Sequence, residues 1–115
     1  MLGLSTNLNY YLFNGNVDLR KGIFRLCESI REEMTLDPSD ASNVYMFMSR
    51  NRKVVKILHY ERGFYVLYEK RPVMGKFKKP VFDEVSRCYR IQWSDMAYLT
   101  ESIVVDRMYV SPKDE

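Results

Sequence analysis

The chain has 115 residues and a mass of 13.7 kDa; 46% of the residues are hydrophobic and 29% are charged. This length corresponds to one domain that buries roughly two-thirds of the surface of its unfolded chain, and the apolar content excludes a wholly disordered protein. The formal net charge of +3 is too small for a histone-like, uniformly basic protein. We assign residues 1–110 to a single domain and residues 111–115 to a flexible C-terminal tail.

The first predicted elements are a short strand and a long helix. Residues 8–13 are aromatic and apolar and end at Asn14-Gly15-Asn16, a turn signal, which predicts the strand. Asp18 is a candidate N-cap, and the apolar residues after it recur at helical spacing. The sequence therefore predicts a helix over residues 18–34 whose apolar face carries Leu19, Ile23, Leu26, Ile30 and Met34.

Three segments rich in β-branched and aromatic residues follow, at residues 44–49, 54–60 and 64–70. The breaks between them are short, which favours hairpins, so we expect a three-stranded antiparallel meander. The first segment is apolar on both faces, because Tyr45 and Phe47 alternate with other apolar residues. A central position in the sheet or a covered edge would explain that pattern.

The C-terminal part predicts a further strand and a shorter helix. Residues 88–93 have strand character, and Ser94 is a candidate N-cap for a helix that carries Met96, Leu99 and Ile103. Residues 104–110 are apolar enough to pack as a last strand. The predicted fold class is α+β: an antiparallel sheet centred on the meander, with one long helix packed on a face and a shorter C-terminal helix nearby.

Charge is divided unevenly along the chain. Residues 44–80 hold ten basic and two acidic side chains, a net +8, whereas the rest holds eight basic and thirteen acidic ones, a net −5. In an up-down-up meander the first turn lies near the end of the third strand, so its bases should neighbour Lys70 and Arg71, with residues 76–79 leading away. Such a cluster favours a polyanion such as DNA. The alternative is a solvated rim of lysines that protects edges and turns.

The predicted first helix carries charges that oppose its dipole. Arg20 and Lys21 occupy its first turn, and Glu32 and Glu33 its last. Basic side chains beside free N–H groups favour a phosphate contact; the alternative is a salt link from Arg20 or Lys21 to acids elsewhere. The candidate DNA-binding residues are accordingly Arg20, Lys21, Arg50, Arg52, Lys53, Lys56, Lys70, Arg71, Lys76, Lys78 and Lys79.

Residues with catalytic chemistry are few. The only histidine is His59, and Cys27 and Cys88 lie far apart, so we expect no metal site, no cofactor and no enzyme activity. A metal-dependent nuclease with converging carboxylates is the remaining enzymatic alternative. Aromatic residues interleaved with bases over residues 59–70 offer base stacking as a minor alternative. Two unpaired thiols and the lack of a signal peptide or long apolar span predict a cytoplasmic protein without a membrane partner.

Several motifs resemble one family. Residues 17–22, Val-Asp-Leu-Arg-Lys-Gly, preceded by Tyr11-Leu12 and Gly15, resemble the Val-Asp-Met-Arg-Lys-Gly pattern of the small TnpB-type accessory proteins of the insertion-sequence sixty-six family. The resemblance covers residues 8–80 well and 91–103 loosely. Its further matches are Asp37-Pro38, Phe47, Arg50-Asn51-Arg52, Lys56-Ile57-Leu58, Tyr60, Gly63-Phe64, Leu67-Tyr68, Lys70-Arg71, Gly75, Phe77 and Pro80.

The resemblance implies an accessory role in bacterial transposition, beside a separately encoded DDE-type transposase and a further small protein. It carries over no catalytic residues. The leading hypothesis is a non-enzymatic accessory protein that contacts DNA phosphates through a basic patch. The alternative is an adaptor that docks the transposase without binding DNA itself. The expected partners are therefore DNA and the transposase or other proteins of the same element.

Overall fold

The computed structural model describes residues 4–15, 18–20, 22–82 and 85–105, so the predicted tail at 111–115 and residues 106–110 of the predicted last strand lie outside the described residues. The α+β class is confirmed. No helix in the described ranges is both long and apolar enough to cross a membrane. In chain order the elements are β1 (Asn9–Phe13), α1 (Ile23–Ser29) continued by a π-helical segment (Ile30–Met34), β2 (Asn43–Met48), β3 (Val55–Glu61), β4 (Phe64–Lys70), β5 (Lys76–Phe77), β6 (Cys88–Ile91), α2 (Trp93–Glu101) and β7 (Ile103–Val104).

The main sheet has five strands in the order β4-β3-β2-β1-β6. The predicted antiparallel meander is confirmed, with Val44 opposite His59 and Val55 opposite Lys70. Strand β2 lies at the centre of the sheet, which explains why its residues are buried on both faces. A separate ribbon pairs β5 with β7, bringing Phe77 opposite Ile103.

One strand pair of the sheet is parallel, which the prediction of an antiparallel sheet did not include. Strand β1 runs parallel to β2, with Tyr11 opposite Tyr45, and antiparallel to β6. Two parallel neighbours need a crossover connection rather than a hairpin, and α1 with its π-helical continuation lies within that connection. The first helix therefore forms part of the crossover that the parallel pairing needs, and its apolar stripe packs on the sheet.

The sheet is covered on both faces, and each face has its own hydrophobic cluster. On one face Phe13, Tyr45 and Phe47 pack with Leu26 and Ile30 of the first helix. On the other face the cluster contains Leu12, Val44, Met46 and Ile57 of the sheet, Phe77 of the ribbon and Met96 and Leu99 of α2. Side chains of a strand alternate between the two faces, so each strand contributes to both clusters.

The first helix starts later than predicted. Its N-cap is Gly22 and not Asp18, although the predicted apolar stripe from Leu19 to Met34 is confirmed as part of the core. The Asp18 carboxylate accepts hydrogen bonds from the backbone N–H and from Nε of Arg20, both at 3.0 Å. Short polar side chains that bond the nearby backbone in this way compete with helix formation. Arg20 therefore precedes the helix and does not occupy its first turn.

The second helix also starts at a different residue. Its N-cap is Gln92 and not Ser94, in a capping box where Asp95 Oδ2 accepts from the Gln92 backbone N–H at 3.1 Å. The preceding strand β6 accordingly ends at Ile91 rather than at residue 93. Met96 and Leu99 are buried as predicted, but Ile103 lies in β7 beyond the helix.

Candidate nucleic-acid interface

The turn that joins β2 to β3 is held by side-chain hydrogen bonds. Ser49 Oγ accepts from the backbone N–H groups of Lys53 at 3.1 Å and Val54 at 3.0 Å. Asn51 Oδ1 accepts from the same Lys53 N–H at 3.0 Å and from the Ser49 hydroxyl at 2.9 Å. Arg52 adopts a left-handed conformation with φ 59°. These bonds fix the backbone from which Arg50, Arg52 and Lys53 project.

The basic segment after β4 returns to this turn instead of leading away from it. The Phe77 N–H donates to the Arg52 carbonyl at 2.8 Å, and the Lys78 N–H donates to the Ser102 carbonyl at 3.0 Å. The pairing of β5 with β7 directs the chain back across this end of the sheet. As a result Lys79 comes to lie beside the arginines of the turn.

Two open grooves flank the turn and share Ser49 and Arg50. The first, which we call the β1 groove, has a volume of about 510 Å³ and is lined by Leu12, Phe13, Asn14, Gly15, Met48, Ser49, Arg50, Arg52, Lys79, Pro80 and Phe82. The second, the arginine groove, has about 530 Å³ and is lined by Asp18, Leu19, Arg20, Ser49, Arg50, Asn51, Val54 and Arg71. We call this region of the molecule the basic end, defined by Arg20, Arg50, Arg52, Lys53, Arg71 and Lys79.

Four residues of the basic end have no ion-pair partner in the part of the chain that the structure describes. Within these ranges, Arg50, Arg52, Lys53 and Lys79 make no salt bridge, and all but Arg52, which is half-buried, are exposed. Cations in such positions attract counterions, which a bound polyanion would replace.

Other predicted residues are engaged with acids. Arg20 Nε lies 3.0 Å from the Asp18 carboxylate, which is the salt link that the sequence left open. Lys70 Nζ lies 2.7 Å from Glu101 and donates to the Thr100 carbonyl at 3.0 Å. The hydrogen bond from Lys70 lowers the pKa of Glu101. Because Lys70 and Glu101 form this bond, Lys70 faces α2 rather than the turn.

Arg71 is paired but remains accessible. Its Nε lies 2.8 Å from Glu69, a hydrogen bond that lowers the pKa of the Glu69 carboxyl, while 63% of the Arg71 side chain stays exposed. The Arg20 side chain is likewise 92% exposed despite its pairing. Exposed ion pairs contribute little to stability, so both guanidinium groups can exchange their partner for a phosphate at small cost.

Lys56 is largely buried between strands. Its side chain is only 9% exposed, and its Nζ lies 3.6 Å from Glu69 on the neighbouring strand. This burial could not be predicted, because strand alternation alone does not distinguish a covered face from an open one. We therefore exclude Lys56 from the basic end.

The remaining predicted lysines lie away from the turn or are already in contact. Lys78 Nζ donates to the Tyr98 hydroxyl at 2.9 Å and lies 5.5 Å from the centre of that ring, and this hydrogen bond lowers the pKa of Tyr98. Lys76 is half-buried in β5 and has a partner as well. Lys21 lies outside the described residues.

The groove floors contain residues that the sequence did not single out. Phe82 and Met48 reach the β1 groove from segments far apart in the chain, and Leu12 and Phe13 join them from the end of β1. No local signal identifies them, since each belongs to an apolar segment that reads as core. The pairing of β1 with β2 brings Leu12, Phe13 and Met48 together beside Arg50, and the segment that follows β5 brings Phe82 there.

The aromatic residues proposed for stacking lie at the opposite end of the sheet. Phe64 is 72% exposed beside the β3–β4 hairpin, and the rings of Tyr60 and Tyr65 meet edge to face with centroids 5.2 Å apart. His59 is buried, and its Nε2 lies 2.9 Å from the Ala41 carbonyl. This group therefore does not form one surface with the bases of the basic end.

The described residues offer no metal centre and no disulfide. Among them, no three histidine, cysteine, aspartate or glutamate side chains are grouped closely enough to hold a metal ion. Cys27 is buried and Cys88 half-buried, and both are free thiols. Burial raises the pKa of both thiols, which keeps them in the unreactive, protonated form.

Comparison with known proteins identifies the family. Residues 8–109 match the family model described as IS66 Orf2 like protein. A search of curated proteins found no significant match, and neither did a search of solved structures. The matched span contains every element described above, from β1 to β7. The chain therefore belongs to the IS66 Orf2-like family, whose role is accessory to transposition.

Proposed function

We propose that this protein assists transposition by binding the phosphate backbone of DNA through its basic end. The observation that carries the proposal is the set of four cations, Arg50, Arg52, Lys53 and Lys79, that have no acidic partner among the described residues. Like charges held together repel one another unless an anion neutralises them. A DNA backbone supplies phosphates at regular spacing, whereas a single small anion would satisfy only part of the cluster.

The geometry of the turn supports phosphate contact rather than base recognition. Ser49 and Asn51 use their side chains to hold the turn, so they are not available to read base edges. The side chains that project freely are positive and long, the types that contact the phosphate backbone and position a protein without specifying sequence. We expect weak dependence on base sequence and strong dependence on salt.

A titration of duplex DNA over a series of salt concentrations tests the proposal. We expect the logarithm of the affinity to fall linearly with the logarithm of the salt concentration, and the variant Arg50→Ala/Arg52→Gly to lower that slope by about 2. Glycine is chosen at position 52 because it accepts the positive φ found there. The measurement is fluorescence anisotropy of a labelled duplex.

The chain offers a closely matched control at the other end of the sheet. Arg62, with φ 47°, lies in the β3–β4 hairpin, and Arg31 is exposed on the π-helical segment. Arg31→Ala/Arg62→Gly thus removes the same charge, and its Arg62→Gly change matches Arg52→Gly in replacing a residue of positive φ in a hairpin turn. We expect its slope and affinity to stay close to those of the unchanged protein. An equal loss in both variants would show that only net charge matters and would contradict an interface at the basic end.

The adaptor role, in which the protein docks the transposase without binding DNA, predicts a different result in this titration. If the protein binds no duplex even at low salt, DNA contact is refuted, and co-purification with the transposase becomes the deciding measurement. An adaptor that uses the same patch would lose that co-purification on Arg50→Ala/Arg52→Gly and keep it in the control variant.

Nuclease activity can be tested in the same samples by incubating the protein and the labelled duplex with Mg²⁺ or Mn²⁺. We expect the DNA to stay intact.

A further inference from the structure

The β1 groove differs from the arginine groove in the chemistry of its walls. Its lining combines three bases, Arg50, Arg52 and Lys79, with the polar residues Asn14 and Ser49 and with five apolar side chains, among them the half-buried ring of Phe82. The arginine groove is lined mainly by charged and polar residues. A ligand that offers only phosphates would be matched by the arginine groove. The mixed lining of the β1 groove matches a ligand that combines negative charge with a flat apolar part.

Phe82 belongs to a fixed aromatic stack. Its ring lies parallel to that of Tyr89, with centroids 3.7 Å apart and an angle of 5° between the planes. Tyr89 is anchored in β6, where it pairs with Leu12 of β1, and its hydroxyl accepts from the Ser86 N–H at 2.7 Å. Phe82 also packs against the hydrophobic cluster on that face of the sheet, so its ring is held in place before any ligand arrives. The side chain is only half-buried and lines the β1 groove, which leaves part of it open to contact from the groove.

We propose that the β1 groove receives an unpaired base of DNA, stacked on Phe82, while Arg50, Arg52 and Lys79 hold the phosphates next to it. The inference rests on the proposed function and adds the class of DNA that this end of the molecule prefers. The volume of the β1 groove, about 510 Å³, lies within the range that is typical of small-molecule binding sites. Aromatic rings in a basic groove bind single strands in this way, because every base has a face that can stack.

The test compares two labelled DNAs, a blunt duplex and the same duplex with a short single-stranded extension. We expect the extended DNA to bind roughly 5- to 100-fold more tightly. This range corresponds to the affinity that other single-strand-binding proteins lose when one stacking aromatic residue is substituted. Phe82→Leu should bring the affinities for the two DNAs together, because leucine keeps the apolar volume but not the ring. Phe82→Tyr keeps an aromatic ring and should therefore keep the preference for the extended DNA. Phe64→Leu, at an exposed phenylalanine at the far end of the sheet, is the matched control and should keep the preference.

The outcomes separate this inference from the proposed function. Equal affinity for the two DNAs, or a preference that survives Phe82→Leu, overturns the stacking site while duplex binding stands. No binding to either DNA at low salt overturns the proposed function and the stacking site with it. Photo-cross-linking of the unchanged protein to an iodouracil in the extension gives an independent reading should Phe82→Leu fail to fold. Cross-links at Phe82 support the site, and cross-links confined to other regions refute it.

Discussion

Among the residues that the structure describes, three other than glycine have a positive φ: Thr35 at 56°, Arg52 at 59° and Arg62 at 47°. The left-handed region costs an L-residue with a side chain about 1–2 kcal/mol. Arg62 shares its turn with Gly63, and this two-residue hairpin requires positive φ at both positions. At Arg52 the strained backbone holds a guanidinium group at the rim of the β1 groove, and strain of this kind concentrates at functional positions.

Thr35 carries the same strain at an exposed position outside the basic end, after the π-helical segment. We expect Thr35→Gly to raise the free energy of unfolding by about 0.5–1 kcal/mol, because relief of the strain exceeds the entropy that glycine adds to the unfolded chain. Urea denaturation measures the change. Thr6→Gly, at an exposed turn residue without a positive φ, should give no gain. A loss of stability in Thr35→Gly would contradict the strain argument.

At the scale of elements, β3 and β4 are joined by a cross-strand ion pair in which the lysine is buried and the Glu69 side chain is 40% exposed. Lys56 lies opposite Glu69, and Lys56 Nζ is 3.6 Å from the carboxylate in a side chain that is 9% exposed. When a buried ammonium group loses its acidic partner, its desolvation cost remains but the electrostatic attraction that offset this cost is lost. The second ion pair that reaches across elements, between Lys70 and Glu101, is exposed and should contribute little.

These two pairs predict different costs for removing a single glutamate. We expect Glu69→Ala to lower the free energy of unfolding by about 1–3 kcal/mol because it leaves Lys56 unpaired. Glu101→Ala should cost at most about 1 kcal/mol. Lys56→Met should be close to neutral, and Glu69→Ala in that background should lose most of its effect. Urea denaturation of the four variants forms the test, and equal costs in both backgrounds would refute the coupling.

The elements differ in how far local residues determine them. The meander could be predicted because alternation, β-branched content and short breaks all act between neighbouring residues. The predicted first residues of the two helices were wrong. Asp18 accepts a hydrogen bond from the Arg20 backbone instead of capping the first helix, and Gln92 rather than Ser94 caps the second. The parallel pairing of β1 with β2 is a long-range choice, which no local pattern within either strand expresses.

At the scale of the whole molecule, folding redistributes the charge that the sequence divides. The basic segment gains an acid from outside it, since Glu101 of α2 neutralises Lys70. Glu69 within the segment is shared by Lys56 and Arg71. The cations left without partners among the described residues include the three bases of the β2–β3 turn and Lys79. The proposed interface is thus smaller and more concentrated than the total of basic residues indicates.

Alkaline stability of the whole fold depends on a buried phenol. Tyr45 donates to the Asp37 carbonyl at 2.8 Å, and burial raises its pKa from 10.0 to about 12. Because the unfolded chain loses this proton first, the stabilisation is fully present below pH 10 and is lost as the pH rises toward 12. We expect the free energy of unfolding to fall between pH 8 and pH 11 by less in Tyr45→Phe than in the unchanged protein.

Tyr98 provides the control for this prediction. Its pKa is lowered by the hydrogen bond from Lys78, so it does not add to the alkaline loss. Tyr98→Phe should therefore leave that loss at least as large as in the unchanged protein. Urea denaturation at the two pH values measures the difference, and an identical loss in Tyr45→Phe would show that Tyr45 does not control it.

The sequence by itself determined the fold class, the meander, the basic turn and the resemblance to the family, because each depends on residue type and short-range spacing. It also predicted that the turn lies near the end of the third strand, since an up-down-up meander allows no other arrangement. Only the tertiary structure decided which cations are free. Lys56 is buried, Lys70 turns to Glu101, and residues 76–79 fold back to place Lys79 beside Arg50 and Arg52. Those outcomes depend on contacts between segments distant in the chain, which residue type and spacing do not encode.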